Sequence, residues 1–475
     1  MNFSSFGYIF LFLPVVTLLC LLARKLPYGR SAQLCVLLAS LVFYSWAKPA
    51  NLLYLLGSIL VNWLVARWIG GAQGNRRKHL LQLGLVLNIA FLCTFKYLNF
   101  FISNVPWLAS HHVHAPDLAY PLGISFFTLA QIMYLVDCYE ELVAPSSLFD
   151  HATFVSFFPY VISGPISRAK RIIHQFPVLN GPTPPSAELV GRALYLFSFG
   201  LIKKVVLADA FSKAADYGWG NISSLSAIEA WAVVSAYALQ LYFDFSGYSD
   251  MAIASGMLLG IELPRNFDAP LKSLSIIEFW QRWHITLSAF ITTYLYTPIV
   301  RSFRRATVHT AAVATLIAMT IAGLWHGANW TFVIFGTIHG SGLAINQYWK
   351  KKKMPALPNW LCWVLTILLI DVGFVFFRSP DLGTALQLLS RLGNWHSPFG
   401  SANFRLMDGD GTTAITFLLI QAAGAIAALV GKSTDQLAQR FRPTWLNYAT
   451  TVLCTLTALL YLNSNVPKPF VYFKF

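Results

Sequence analysis

Apolar runs of about twenty residues follow one another along nearly the whole chain, each long enough to cross the roughly 30 Å hydrocarbon interior of a bilayer as a helix. They centre near Val15, Leu38, Leu60, Val86, Ala130, Val161, Val205, Ala236, Ile291, Ile317, Ile334, Leu365, Ile420 and Leu456. In hydrocarbon every backbone N–H and C=O has to find its partner within the protein, so runs of this length predict helices. Those near Val161 and Ile291 are short or carry polar residues and fit re-entrant or interfacial segments instead. The pattern predicts an all-α polytopic membrane protein of about 10–14 transmembrane or re-entrant helices.

Composition agrees. Charged residues make up 11% of the chain, against about 25% in soluble domains. The net charge of +15 raises nucleic acid as a partner. The basic residues, however, sit in short clusters between apolar runs, "RKLPYGR", "RWIGGAQGNRRKH", "RSFRR" and "KKKK" at 350–353. That distribution fits the positive-inside rule, so those loops read as cytoplasmic and the partner implied is the lipid bilayer, with no nucleic acid. The N-terminus and residues 101–120 and 378–411 then lie outside, the last stretch offering a short amphipathic helix around "ALQLLSRL". In the first run Arg24 and Lys25 follow the apolar core, and no small-residue cleavage site is visible, so it reads as a retained span. Six scattered cysteines without metal-ligand spacing read as core fillers. With no internal repeat, residues 1–475 read as a single integral-membrane domain.

A charged side chain at the centre of a bilayer costs about 2.5–3.5 kcal/mol on insertion scales, so such residues are functional candidates by default. Three stretches hold them: "LYFDFSGYSD", "EFWQRWHITLS" and "GLWHGANW". In the last, His326 falls at a break between two apolar runs, and Gly323 and Gly327 permit a tight turn or the close approach of a ligand. A buried neutral imidazole takes a proton from a hydroxyl, so His326 reads as a general base or, alternatively, as a structural histidine bonded to a carbonyl. Trp325 or Asn329 beside it would stabilise a developing oxyanion.

"EFWQRWHITLSAF" predicts an amphipathic helix with Phe279, Trp280, Trp283, Leu287 and Phe290 on one side and Gln281, Arg282, His284 and Ser288 on the other. Arg282 reads as a headgroup anchor or an anion clamp, and His284 as structural or functional. Asp244 and Asp250 lie in an apolar segment that Gly247 is expected to interrupt, and each needs a partner. They can orient a histidine, pair with arginine or cap a broken helix. "HHVHAPD", with His111, His112, His114 and Asp117, has metal-like content but no second ligand cluster, so no metal is expected. His339, thirteen residues after His326, stands roughly 20 Å away along a continuous helix, too far to share a proton.

Several ordered blocks point to one family. "GLWHGANWTFVIFGTIHG" resembles the signature of the membrane-bound O-acyltransferases. "FSSFGYIFLFLPV", "YPLGISFFTLAQIMYLVDCY", "FFPYVISGPISR", "FGLIKKVVLADAF", "YALQLYFDFSGYSDMAIASGMLLGIELPRNFDAP", "EFWQRWHITLSAFITTYLYTPI" and the closing "FVYFKF" are similar to its bacterial branch for alginate O-acetylation. The resemblance implies a fold around a central chamber, an acyl donor from the cytosol, usually a thioester, and an acceptor hydroxyl from the other face. It implies His326 as the catalytic histidine and His284 as a second functional position near the chamber, while Asp244 and Asp250 match recurrent acidic positions. After "TTYLYTPI" relatives continue with a Gly-Gly-Asn-Arg-like turn where this chain has "VRSFRRATVH", a departure that bears on donor access.

The resemblance and the residues together lead us to expect an O-acetyltransferase of the bacterial inner membrane that uses acetyl-CoA as donor and holds no bound cofactor. Its acetyl groups would reach a secreted polysaccharide, such as alginate or cellulose, directly or by relay through periplasmic acetyltransferase partner proteins. A D-alanyl transferase of teichoic acid is the alternative within the class. A transporter would favour inverted repeats, which are not seen, and a silent scaffold is at odds with both His326 and His284 in their motifs.

Overall fold

The computed structural model describes the chain apart from residues 28, 47, 112–119, 396–413, 465–467, 469 and 472–475. Among the described residues the regular structure is helical throughout. In chain order the main helices are α1 (Gly7–Ala23), α2 (Ser31–Ser45), α3 (Asn51–Gly71), α4 (Gly74–Asn104), α5 (Ile124–Tyr139), α6 (Leu148–Ser156), α7 (Ala187–Ile202), α8 (Asp209–Gly220) and α9 (Ala227–Leu258). They continue with α10 (Ile276–Arg282), α11 (Ile285–Phe290), α12 (Val308–His326), α13 (Trp330–Lys351), α14 (Asn359–Arg378), α15 (Leu382–Leu392), α16 (Ala414–Leu429) and α17 (Trp445–Ser464). Helices α3, α4, α12, α14 and α17 are long and apolar enough to cross a membrane, and α1, α2 and α5 are apolar but shorter. The chain is a multi-pass membrane protein.

Several apolar runs depart from plain helix. Around Val161 the chain forms turns, because Pro159, Gly164 and Pro165 prevent a regular helix. Phe157, Phe158, Tyr160, Val161, Ile162 and Ser163 are all buried there, and irregular backbone is tolerated at such depth when protein surrounds it. Around Ile291 the helix widens into a π-turn, Ile291–Tyr296, and similar turns occur at Cys93–Tyr97 and at Lys203–Ala208, between α7 and α8.

The chain packs into two compact units, one of Met1–Phe197, Ser249–Arg265 and Phe441–Tyr448, the other of Ser198–Tyr248, Asn266–Arg440 and Ala449–Phe475. In the first, buried Arg24 donates hydrogen bonds to the carbonyls of Thr183 at 2.6 Å and Leu259 at 3.0 Å. Buried Asp137 accepts both arms of the Arg168 guanidinium at 2.7 and 3.1 Å. Each buried charge thereby gains the partners it needs away from water.

In the second unit α12 and α13 form a tight hairpin whose backbones touch. A Cβ on Gly323 would lie 2.3 Å from the Phe332 carbonyl oxygen, and one on Gly336 would lie 2.3 Å from that of Met319. Gly336 and Gly340, four residues apart in "GTIHG", face α12 together, the small-residue spacing that lets membrane helices approach closely. Gly327 is extended at φ −165° and its carbonyl accepts the Asn329 N–H at 3.0 Å, while its missing Cβ leaves space for the Phe332 ring. Gly247 does not interrupt α9, which runs unbroken for 32 residues. It lets the Gly200 carbonyl and the Lys204 backbone come close instead.

The far end of α14 is pinned by an ion pair between Arg378 and Asp216, and Asp216 also takes the Lys468 ammonium at 2.5 Å. The Arg378 guanidinium lies 5.0 and 4.9 Å from the rings of Trp219 and Tyr237. The amphipathic stretch "ALQLLSRL" is helical as α15. Its cap, Asp381, accepts the Thr384 N–H at 2.8 Å, and bonds from that N–H and the Thr384 hydroxyl hold the carboxyl below the usual carboxylate range.

Substituting Gly336→Val is expected to destabilise the protein by roughly 1–3 kcal/mol through overpacking. Gly57→Ala on α3, where a Cβ would meet nothing within 4 Å, should leave stability unchanged. Thermal melting in detergent, followed by size exclusion, compares the two.

Candidate functional site

His326 is the last residue of α12, and the three residues after it are extended or bent before α13 begins. Its imidazole is 5% exposed and enclosed by three aromatic edges, Trp325 at 4.9 Å, Phe377 at 5.2 Å and Phe335 at 5.9 Å between ring centroids. Asn329 closes the break. Its Oδ1 accepts the Thr331 N–H at 3.0 Å and caps α13, while its Nδ2 donates to the Pro380 carbonyl at 2.7 Å. The amide expected beside a developing oxyanion is therefore already engaged at both ends in holding the turn.

The stretch around His284 is two short helices rather than one amphipathic helix. Trp283 is extended, and His284 occupies the left-handed region at φ 42°, a conformation that costs a residue other than glycine about 1–3 kcal/mol and persists where its surroundings enforce it. Asn266 enforces it. Its backbone carbonyl accepts the Ile285 N–H at 3.0 Å, and its Oδ1 accepts the Thr286 N–H at 3.3 Å and hydroxyl at 2.9 Å. The same Oδ1 lies 3.1 Å from His284 Nδ1. Because that oxygen faces a backbone donor it has to be the amide oxygen, so His284 Nδ1 carries a proton and the neutral ring keeps its lone pair on Nε2. The imidazole is fully buried, with the edge of Phe245 at 4.7 Å.

Arg282 turns to its own loop, pairing with Glu278 at 2.8 Å and donating to the Asp268 carbonyl at 3.3 Å. Asp244 is 1% exposed and pairs at 2.6 Å with Lys204, itself 2% exposed. It also accepts the Val471 N–H at 2.8 Å, which ties that residue to α9. Asp250 is buried further along α9 and falls in the first unit.

Ring contacts join several of these residues. Trp283 meets Phe374 at 5.6 Å, and Phe374 meets Phe335 and Phe377 of the His326 cage at 6.4 and 6.3 Å. His339 belongs to the same cluster, which corrects the expected separation from His326. Phe335 touches His326 at 5.9 Å and His339 at 4.6 Å, so the two imidazoles lie within the sum of those steps, about half the 20 Å of an unbroken helix. The bend after His326 folds α13 back along α12 and brings them together. Of "HHVHAPD", His111 is exposed, while His112, His114 and Asp117 lie outside the described residues.

Sequence reasoning passed over Asn266, Lys204 and the cage residues Phe335, Phe374 and Phe377. Lys203 and Lys204 within "FGLIKKVVLADAF" were a usable signal, since charges inside an apolar run demand partners. The others reach the candidate site only through contacts distant in sequence.

Comparison with known proteins identifies the family. The sequence profile of the MBOAT, or membrane-bound O-acyltransferase, family matches residues 72–377. A peptidoglycan O-acetyltransferase of Helicobacter pylori is 35% identical over 100% of this chain and 97% of its own length. A probable alginate O-acetylase AlgI of Pseudomonas aeruginosa is 33% identical over the full length of both chains. A teichoic acid D-alanyltransferase of Streptococcus thermophilus is 33% identical over 49% of this chain and 58% of its own length. The protein is an integral-membrane O-acyltransferase. It belongs to the MBOAT family.

If Lys204 and Asp244 serve the fold, Lys204→Met is expected to cost about 3–5 kcal/mol by removing the cation that faces the buried Asp244 carboxylate. The double variant Lys204→Met/Asp244→Leu should recover much of the loss. Melting curves of the three purified proteins read the difference.

Proposed function

We propose that this protein transfers acetyl from cytosolic acetyl-CoA to a hydroxyl presented from the opposite side of the bacterial inner membrane, with His326 as general base. The destination is a polysaccharide of the envelope or outside it, reached directly or through a periplasmic acetyltransferase partner. The observation that carries the reading is the enclosure of His326, a proton acceptor at the head of a membrane hairpin, walled by rings and with little water around it. A base works best where water does not compete with the acceptor alcohol for the acyl group. At 5% exposure the ring admits an alcohol only after one wall moves, and Phe377, at the end of α14, is the wall nearest the chain's outer loop.

A cavity of about 280 Å³ in the same unit supports a donor route. It is lined by Trp280, Gln281, Ser288, Thr292, Thr315 and Gln347 among others. With the basic loops in the cytosol, Thr315 and Gln347 lie on the cytosolic half of α12 and α13. The Gln347 amide donates to the Thr315 hydroxyl at 3.0 Å, a bond that a thioester arm carrying amides of its own would take over. His284, with its lone pair directed by Asn266, supports the chamber from the neighbouring loop. The full-length similarity to O-acetyltransferases favours acetyl over D-alanyl, for which the similarity spans half the chain.

Proteoliposomes given radiolabelled acetyl-CoA and candidate glycans, with and without soluble partner proteins, test this. His326→Ala should accumulate normally and transfer no label, and His284→Ala should lower turnover without loss of protein. Full transfer by His326→Ala removes it as the base. Labelling only from a D-alanyl carrier protein replaces the acetyl donor.

A further inference from the structure

A second histidine stands between the His326 cage and that cavity. His339 is fully buried on α13, and its Nδ1 accepts a hydrogen bond from the Trp280 indole N–H at 3.3 Å. Indole only donates, so Nδ1 holds the lone pair and the ring proton sits on Nε2. Nε2 has no hydrogen-bond partner among the described residues and points at Gly373 of α14, where a Cβ would come within 2.5 Å. One face of the ring meets Phe335 at 4.6 Å, and Phe335 meets His326. Phe279, 6.4 Å away, stacks on Trp283, the residue before His284. Trp280 itself lines the cavity.

Packing alone does not account for an imidazole here. A buried N–H without a partner costs about 1–3 kcal/mol, and an apolar ring of similar shape would avoid that cost. What such a ring cannot do is accept the Trp280 N–H. Gly373 fits the same logic, because any larger residue would displace the imidazole from that bond.

We propose that His339 is a positioning residue for acyl transfer. Its bond to Trp280 fixes its own ring, the fixed ring seats Phe335, and Phe335 sets the orientation of the His326 imidazole. The wall of the cavity and the proton-accepting ring are thereby tied into one rigid set. The inference rests on the reading of His326 as the base.

The test uses full-length protein in proteoliposomes and steady-state transfer from acetyl-CoA by Trp280→Phe, His339→Phe, His339→Asn and the double variant Trp280→Phe/His339→Phe. A small misplacement of a catalytic group is enough to lower turnover markedly, so His339→Phe and Trp280→Phe should each reduce kcat by roughly tenfold. KM for acetyl-CoA in the His339 variants should stay within about twofold of the parent. The double variant should be no worse than either single one, as residues acting through one contact are non-additive. His339→Asn, whose amide oxygen can take the Nδ1 position, should recover most of the loss, and all variants should keep the parent's pH profile. Full kcat in His339→Phe, additive losses, or an Asn variant as slow as the Phe variant overturns the proposal. Loss of one limb of the pH profile in His339→Asn assigns His339 a proton-transfer role instead. Should His339→Phe fail to accumulate, Trp280→Phe, which removes a single N–H, carries the same expectation. His326→Ala measured alongside separates the two readings: activity there removes the base, whereas inactivity there with a fully active His339→Phe removes only the positioning role.

Discussion

The second unit depends on the direct meeting of two helix backbones. Where Gly323 faces Gly336, α12 and α13 come closer than side chains would allow, and dispersion along the whole seam holds them. That contact fixes the rotation and depth of both helices at once. It leaves His326 at the bend, turns His339 toward the same aromatic cluster, and gives Phe335 a defined place between them. The pinned end of α14, through Arg378 and Asp216, then supplies Phe377 as the third wall. The histidine's surroundings are thus set by helix packing more than by the loop that carries it.

Much of the architecture was legible because apolar runs report a strictly local requirement, the satisfaction of each backbone group in lipid. The break after "IAGL", the amphipathic α15 and most helices followed from that. The features that escaped depend on groups arriving from far along the chain. Nothing local marks His284 as left-handed, since Asn266, eighteen residues earlier, imposes it. Lys204 and Asp244 are forty positions apart and meet only because Gly247 lets their helices close. The glycines were visible but ambiguous, since tight turns, ligand approach and helix contact all call for a missing Cβ. The GxxxG spacing in "GTIHG" would have decided among them.

The chain has 34 basic residues and 19 acidic ones, and not every cation held in the fold is met by a carboxylate. Backbone carbonyls take over part of that task. Arg24 is met by Thr183 and Leu259, and Lys272 donates to the carbonyls of Val430 and Gly431, just past α16, at 3.2 and 2.6 Å. The ends of helices expose carbonyls that have no partner within the helix and carry partial negative charge, so a cation there satisfies both. Excess positive charge, useful for setting orientation in the membrane, is also used to stitch helix ends together.

The wide turn at Lys203–Ala208 carries an implication for how such chains tolerate change in length. Successive α-helical residues rotate by about 100°, and a π-turn accommodates one more residue per turn than the helix around it. Loss of a single amino acid within it would restore ordinary winding. Because the extra residue is absorbed within the turn, the helices on either side would keep nearly the same relative rotation. A one-codon deletion there would leave hydropathy and helix rotation almost untouched, whereas the same loss within the regular winding of α9 would turn everything beyond it by about 100°, so such a turn is where a chain of this kind tolerates a change in length.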